Sequence, residues 1–433
     1  MEPITTAIAA LNLGPEQISV LNDIEQGPKG RFVFVTGKAG TGKSTLLREF
    51  VAGTRWNTAV VAPTGLAAIQ VGGQTIHSFF LFPFGPLTND GDSVPLFKRG
   101  HPRRRLIEKL DCLVIDEISM VRADVLDAID FSLRINTESN QPFGGKTVVA
   151  FGDIRQLEPV VQAGADSEML SDRFASPFFF DAHVLKETGI DSWRLETVYR
   201  QKDEEFLWAL EQLRTGRVDN LDFFNQRVGE SLPGANVVTL TATNARADSI
   251  NLRHLSQLRE PPRVYKASKS GNFERDFPTD PILTLRPGAQ VMFVKNGKEW
   301  SNGTVGRVAE VLEDKVTVVL ESGTVLSVGP EKWEKTRYTW DSSSSRIGKE
   351  VVGEFVQIPL RLAWAVTIHK SQGLTLDSVI VDLDRPAFAH GQVYVALSRC
   401  RTLEGMSLVR PIRPQDIVVH PRVDEFEASA KLF

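Results

Sequence analysis

Residues Gly37 to Thr45 read GKAGTGKST, flanked by the apolar run Phe32-Val33-Phe34-Val35 and by Leu46-Leu47-Arg48-Glu49-Phe50. Apolar run, glycine loop and apolar restart spell a strand, a tight turn and a helix N-terminus. Gly37, Gly40 and Gly42 let the backbone turn its N–H groups inward, and the helix N-terminus adds positive potential. Lys43 can reach the β- and γ-phosphates of a nucleotide, and Ser44 can bind Mg²⁺. Ala39, Thr41 and Thr45 complete the loop. The stretch predicts a phosphate cradle for ATP and Mg²⁺ in an α/β fold, with an ordinary glycine-rich turn as the plain alternative.

A chain of 433 residues, 42% hydrophobic, has ample core and a length that suggests two or three domains. No apolar run reaches the length of a membrane span, and Met1-Glu2-Pro3 lacks the basic start of a secretory signal. The expectation is a soluble, cytoplasmic protein, at the nucleoid if the source is bacterial. Two cysteines, Cys112 and Cys400, are too few for a disulfide framework or a zinc site. A net charge of −4 neither favours nor excludes nucleic acid, so phosphates would have to meet local basic patches.

Upstream of the loop, LNLGPEQISVLNDIEQG (Leu11 to Gly27) has helical spacing, with Pro15 in a first turn and Gln17 beside it. Downstream, Thr58 to Ala62 reads as a strand ending in the polar turn Pro63-Thr64-Gly65, the kind of place where open α/β sheets bind ligands. Next, Phe79, Phe80, Phe82 and Phe84 precede Lys98, Arg99, His101, Arg103, Arg104 and Arg105. Such a stretch either stacks bases and holds phosphates or forms a small hydrophobic cluster under a solvated basic loop. LDCLVIDEISM (Leu110 to Met120) is a strand ending in two acids, Asp116 to hold Mg²⁺ and Glu117 to polarise the attacking water. TVVAFGD (Thr147 to Asp153) is a further strand whose end brings Gln156 within reach of the γ-phosphate. Strands alternating with helical segments mean a doubly wound parallel sheet.

From about Leu195 the pattern begins again, with the strand Val237 to Thr241 and the turn Ala242-Thr243-Asn244 but no second glycine loop. Such a lobe can still present arginines across a cleft. From Gly288, short strands with Gly/Asn turns suggest a small β-barrel, and Asp341 to Ser345 reads as a loop at its far end. The lobe resumes with IPLRLAWAVTIHKSQGLTLDSVIVDL (Ile358 to Leu383) and GQVYVALSRCR (Gly391 to Arg401). His369 and Lys370 lie in a polar turn, and Arg399 follows a helix; singly, each reads as a surface residue. The expected division is a first lobe over 1–190 with an insertion at about 79–106, a second lobe over 191–287 and 356–433, and a barrel over 288–355.

Taken in order, EQ (Glu16, Gln17), GKAGTGKS, APTGLAA, TIHSFF, IDEISM, GDIRQLEP, RQ (Arg200, Gln201), ATN, NGTVG, AWAVTIHKSQG and YVALSR resemble superfamily-1 DNA helicases of the 5′-to-3′ subclass. The stretch Ala123 to Val149, ending in PFGGKTVV, is similar to the signature insert of the Pif-one family and separates it from RecD-like and Dda-like helicases. The match runs from Glu16 to Arg401. It implies two RecA-like lobes, with the barrel as the family's inserted domain and the Phe79 to Arg105 loop in the position of its strand-separating wedge. Gln17 would read the adenine edge, and Arg200 and Arg399, from the second lobe, would act as arginine fingers. Thr64, His77, Phe79, Thr243, Thr367, His369, Lys370 and Ser371 would line the single-strand track or, with Gln372, couple it to ATP. Glu158 departs from the family's usual proline, and the Gln156 segment reads IRQ where bulkier residues are usual.

The implied function is an ATP-driven motor that moves 5′ to 3′ on single-stranded DNA and unwinds tailed or forked duplexes, with G-quadruplexes and RNA–DNA hybrids as further candidates, in repair, recombination or replication. It would be monomeric when free. A nucleotide-dependent DNA-binding or remodelling switch is the alternative. A small-molecule kinase fits the loop but leaves the second lobe and barrel idle.

Overall fold

The computed structural model describes residues 13–88, 93–162, 164–201, 203–232, 234, 236–273, 277–384 and 386–429. The N-terminal residues read for a signal and residues 89–92 of the first-lobe insertion lie outside the described residues.

The first sheet has six parallel strands in the order Gln74–Thr75, Thr58–Ala62, Cys112–Ile115, Thr147–Phe151, Phe32–Gly37 and Asp191–Leu195. Side chains alternate across a strand, so one run serves two cores. Phe32 and Phe34 face a cluster with Phe143 and Phe179. Val33 and Val35 face Leu46, Leu47 and Phe50 of the helix Lys43–Gly53, and Val20, Leu21 and Ile24 of the helix Pro15–Gln26. Both faces being covered, Phe32–Gly37, Cys112–Ile115 and Thr147–Phe151 are buried throughout, as parallel sheets require.

The second sheet is also parallel, ordered Ala365–Thr367, Val238–Thr241, Val379–Asp382 and Met406–Leu408. The expected α/β class, two doubly wound parallel-sheet lobes, is what the chain adopts.

The boundaries differ from expectation in three places. Asp191–Leu195 pairs with Phe32–Gly37 (Val33 with Asp191, Gly37 with Leu195), so the first lobe ends after Leu195 rather than at 190. The helix Pro421–Ser429, expected in the second lobe, packs on the first: the Phe426 ring stacks on Phe180 at 4.4 Å, and Val423 is fully buried in the same core. The insertion is a five-stranded antiparallel sheet, Val325–Val328, Val316–Leu320, Val305–Val311, Gln290–Phe293 and Leu360–Leu362, whose last strand lies past residue 355 and whose pairing has two edges. The long hairpin Glu331–Asp341 with Arg346–Gln357 leaves that sheet. It pairs with Ser268–Gly271 and sets Tyr338 on the first lobe, where its hydroxyl accepts from Val60 N at 2.9 Å.

The segment after the helix Ile76–Phe80 is mostly interior. Phe79, Phe80, Phe82, Leu87, Val94 and Phe97 join the first-lobe core, while Phe84 is 79% exposed. Arg104 is buried between Glu138 (2.6 Å) and Glu108 (2.9 Å), Arg99 also pairs with Glu138, and Arg103 lies over the Phe79 ring. Of the two sequence readings, the hydrophobic cluster is the one that forms, with Phe84 outside it. No helix among the described residues is long and apolar enough to cross a membrane.

Candidate active site

A cleft of about 370 Å³ lies where the C-terminal ends of the first-lobe strands meet the second lobe. The glycine loop forms one wall. Gly40 (φ 87°) and Gly42 (φ 81°) are left-handed, and there is no room for a side chain: a Cβ would come within 2.6 Å of Arg200 Cβ and of Gln17 Nε2 respectively. Ala39 to Thr45 line the cleft. Lys43 donates from Nζ to the carbonyls of Gly37 (2.6 Å) and Lys38 (3.0 Å). Burial lowers its pKa, against the pull of Asp153 and Glu117. A buried ammonium resting on two carbonyls is poised for an anion.

Opposite stand the two acids. Burial first, and Glu117 next to it, push the Asp116 carboxyl up to about 7. Glu117 is raised by burial as well, although Lys43 and Arg399 pull it back. Its backbone is left-handed (φ 51°, ψ 46°), a conformation that costs a non-glycine residue ~1–3 kcal/mol and recurs where function demands it. Gln372 Nε2 donates to Glu117 Oε2 (3.2 Å) and to Gln156 Oε1 (3.4 Å), and Gln156 Nε2 donates to Asp153 Oδ2 (3.2 Å).

From the second lobe, the helix Gln392–Leu397 is buried at every position and delivers Arg399, only 1% exposed. Arg399 donates to Val395 O (2.9 Å) and Ser398 Oγ (2.9 Å). Burial, then the neighbouring Arg200, brings its guanidinium down to about 9. Tyr394 of the same helix accepts from Ala39 N in the glycine loop at 3.2 Å, a direct link between lobes. Arg200 donates to Ser398 O at 3.2 Å; because the first sheet ends at Leu195, this arginine sits on the connector rather than inside the second lobe.

Gln17 is buried against the loop, accepting from Gly14 N (2.9 Å) and donating weakly to the carbonyls of Thr41 (3.4 Å) and Gly42 (3.5 Å). Beside it Tyr199, 55% exposed, lines the cleft. Sequence reading passed over Tyr199, as it did Thr375 and Arg401, which also line the cleft. Tyr199 offered a signal, an aromatic next to Arg200; Thr375 and Arg401 offered none, since only the fold of the second lobe turns them inward.

The proposed strand-contacting residues fall into two groups and an interior set. Thr64 and His77 line a first-lobe cavity of about 260 Å³ together with Phe84, which stacks on His77 at 5.3 Å. Thr367 and Lys370 line a second-lobe cavity of about 330 Å³ with Arg361 and Phe277. Thr64 caps the helix Gly65–Gln70 and Thr243 caps Asn244–Gln257, each at the end of an inner strand of its sheet. His369 is part-buried, its pKa lowered by burial. Phe79 and Ser371 are fully buried: the Phe79 ring packs edge-on to Phe80 (4.8 Å), and Ser371 Oγ donates to Ile368 O (2.8 Å). Neither side chain reaches a surface from which it could touch a strand.

Residues 12–222 match the family model described as PIF1-like helicase. The ATP-dependent DNA helicase Pif1 of Bdellovibrio bacteriovorus is 34% identical over 434 residues, spanning 96% of this chain and 92% of that protein. The solved structure of Bacteroides sp Pif1 in complex with ADP-AlF4 is 38% identical, covers 97% of both chains and superposes with a TM-score of 0.87. Bacteroides Pif1 bound to ssDNA, at 39% identity and the same coverage, superposes with 0.70, so the arrangement of parts here lies nearer the first complex. Similarity at this level over nearly the whole length, on a chain whose glycine loop, acid pair and arginines converge on one cleft, shows that it belongs to the PIF1-like family of ATP-dependent DNA helicases.

Proposed function

We propose that this helicase walks 5′ to 3′ on single-stranded DNA and separates tailed or forked duplexes. What supports the reading is that one cleft is lined by Lys43, Asp116, Glu117 and Gln156 from one lobe and Arg399 from the other, while capping threonines end an inner strand in each sheet. Closing the cleft on a nucleotide draws the lobes together, and reopening it lets one set of strand contacts advance past the other. The relative from Bacteroides has been solved with ssDNA, and Thr64, His77, Thr243, Thr367, His369 and Lys370 are the residues through which this chain would hold the same ligand.

In the chemical step Lys43 and the loop N–H groups hold the β- and γ-phosphates, Glu117 accepts the proton of the attacking water, and Gln156 positions that water. Arg200 and Arg399 neutralise charge developing on the transferred phosphoryl group. Gln17 and Tyr199 are the candidates to hold the adenine. The donor set fits Mg²⁺: Ser44 and Asp116 line the same cleft and offer a hydroxyl and a carboxylate, the oxygen ligands that this ion takes. Bound there, Mg²⁺ would offset the charge of the β- and γ-phosphate oxygens. G-quadruplexes and RNA–DNA hybrids are further candidate substrates, and repair, recombination or replication in the cytoplasm or nucleoid the expected setting, with a free monomer.

The test is ATPase and unwinding measured together on duplexes with a 5′ or a 3′ single-stranded tail. Unwinding confined to the 5′-tailed duplex is expected, weakening as salt rises because phosphate contacts release counterions. Unwinding from the 3′ tail would reverse the assigned direction. DNA-stimulated hydrolysis with no strand separation on either would instead identify a nucleotide-dependent switch.

A further inference from the structure

The turn from Asp153 to Glu158 carries Gln156 into the cleft, and much of what holds it comes from the far end of the chain. Arg155, 4% exposed, makes ion pairs with Asp424 (2.6 Å) and Glu427 (2.6 Å) of the helix Pro421–Ser429. Glu427 takes two more guanidiniums, Arg194 at 3.4 Å and Arg214 at 3.6 Å. Arg214 also donates to Asp153 Oδ1 at 3.1 Å, and the other oxygen of that carboxylate accepts from Gln156 Nε2. One path of contacts therefore runs from Glu427 through Arg214 and Asp153 to the Gln156 side chain, and a second runs through Arg155 to the adjacent backbone.

The other flank of the turn is held in the same manner. The His390 ring nitrogen Nε2 hydrogen-bonds to Ile154 O (2.8 Å) while Nδ1 accepts from His420 N (3.0 Å). Gly391 (φ 69°) donates to Val418 O (3.1 Å), and a Cβ there would lie 2.4 and 2.6 Å from the carbonyl oxygens of Arg155 and Gln156. The helix that begins after Gly391 is the one that delivers Arg399. The terminal helix is itself moored to the first lobe by Phe426, Val423 and the Arg422–Asp181 ion pair.

We infer that Glu427 is a positioning residue for ATP turnover: by clamping Arg155 and Arg214 it holds the turn in the conformation that presents Gln156 to the γ-phosphate. The inference rests on the role given to Gln156 under Proposed function. Without the carboxylate, three guanidiniums repel one another in a largely dry pocket, and of the turn's two ion pairs to the terminal helix only Arg155–Asp424 is left. The terminal helix, last in the chain, thereby becomes part of the ATPase of the first lobe.

The experiment is a double-mutant cycle on the full chain, reading kcat and KM of DNA-stimulated ATP hydrolysis with Glu427→Gln, Gln156→Ala and the pair. Glu427→Gln should lower kcat roughly tenfold with KM for ATP within about twofold, the size expected when a catalytic group is misplaced rather than removed. Gln156→Ala should lower it at least as far, and the double variant should be no worse than Gln156→Ala, because Glu427 acts through Gln156. Glu427→Asp keeps the charge and should retain most turnover; if Glu427→Gln does not fold, Arg155→Lys, which keeps the charge but loses the forked contact to Glu427, carries the same cycle. Normal kcat in Glu427→Gln beside an impaired Gln156→Ala overturns this inference alone. Losses that multiply in the double variant overturn it too, showing a merely structural role. Normal turnover in Gln156→Ala removes the Gln156 reading and this inference with it.

Discussion

The nucleotide cleft and Arg104, in the segment from Phe79 to Lys109, both place charge out of water, and they handle it in opposite ways. In the cleft, burial works against the charged form of each group: Lys43 and Arg399 are lowered, Asp116 and Glu117 raised. In the segment, Arg104 sits between Glu108 and Glu138, and its pKa is raised by those bonds. The first arrangement is stabilised when a ligand supplies the missing charges. Arg104 is already satisfied and serves as scaffold, whereas Arg103 beside it, over the Phe79 ring, is lowered by burial as the cleft cations are. Sequence alone ranked both stretches as possible ligand sites, because residue type reveals the charge but not its partner.

The largest effects should come from removing cleft charges. Arg399→Ala should cut DNA-stimulated hydrolysis by ~10³-fold or more with little change in nucleotide affinity, the magnitude seen for arginine fingers. Glu117→Gln, close in shape, should lose ~10²–10⁴-fold, the range for a general base, while nucleotide binding persists. Steady-state kinetics beside equilibrium binding of a fluorescent nucleotide checks both. Near-normal turnover in either variant would mean that unsatisfied buried charge does not mark the chemistry here.

Within the segment the comparison sharpens between two phenylalanines. Phe82 is 5% exposed and stacks on Phe80 at 5.2 Å, so Phe82→Ala should cost ~3–5 kcal/mol of stability and reduce every activity together. Phe84 is exposed over the first-lobe cavity, so Phe84→Ala should leave melting temperature and ATPase unchanged. Base stacking contributes ~1–3 kcal/mol, so unwinding by Phe84→Ala should slow by roughly 5- to 150-fold. Melting, ATPase and unwinding on one preparation decide the matter; equal behaviour of the two variants would erase the distinction.

The smallest effect concerns His390, which touches the cleft only through the turn beside it. Burial, with help from Arg155 and His420 and against the Ile154 carbonyl and Asp153, brings its pKa from 6.5 down to about 4. A lowered value means that the neutral ring favours the fold. Its contribution is complete above pH 6.5 and is lost as pH falls towards about 4. His390→Gln should therefore flatten the fall in melting temperature across that window by roughly 2 °C. Parallel melting curves for both proteins from pH 7 to 4.5 would show that the ring does not sense acid.

Local sequence was enough for the glycine loop, the acid pair at a strand end and the alternation of strands with helices, because each depends on residues within a few positions of one another: a turn needing glycine, a strand ending in polar groups, a helix burying every third or fourth residue. Arg399 and Gln372 were reached only through a resemblance, since nothing near them in the chain says that they face Glu117. Phe79 was misplaced, and Phe82 left between two readings, for the converse reason: an aromatic run looks the same whether its partner is a base or a core. Tertiary structure alone decided those partners. It paired Asp191–Leu195 with Phe32–Gly37, carried the Tyr338 hairpin onto the first lobe and folded the last helix back against Arg155. Each of these joins residues more than a hundred positions apart, and such contacts form only where two surfaces that each lack a partner exclude water together.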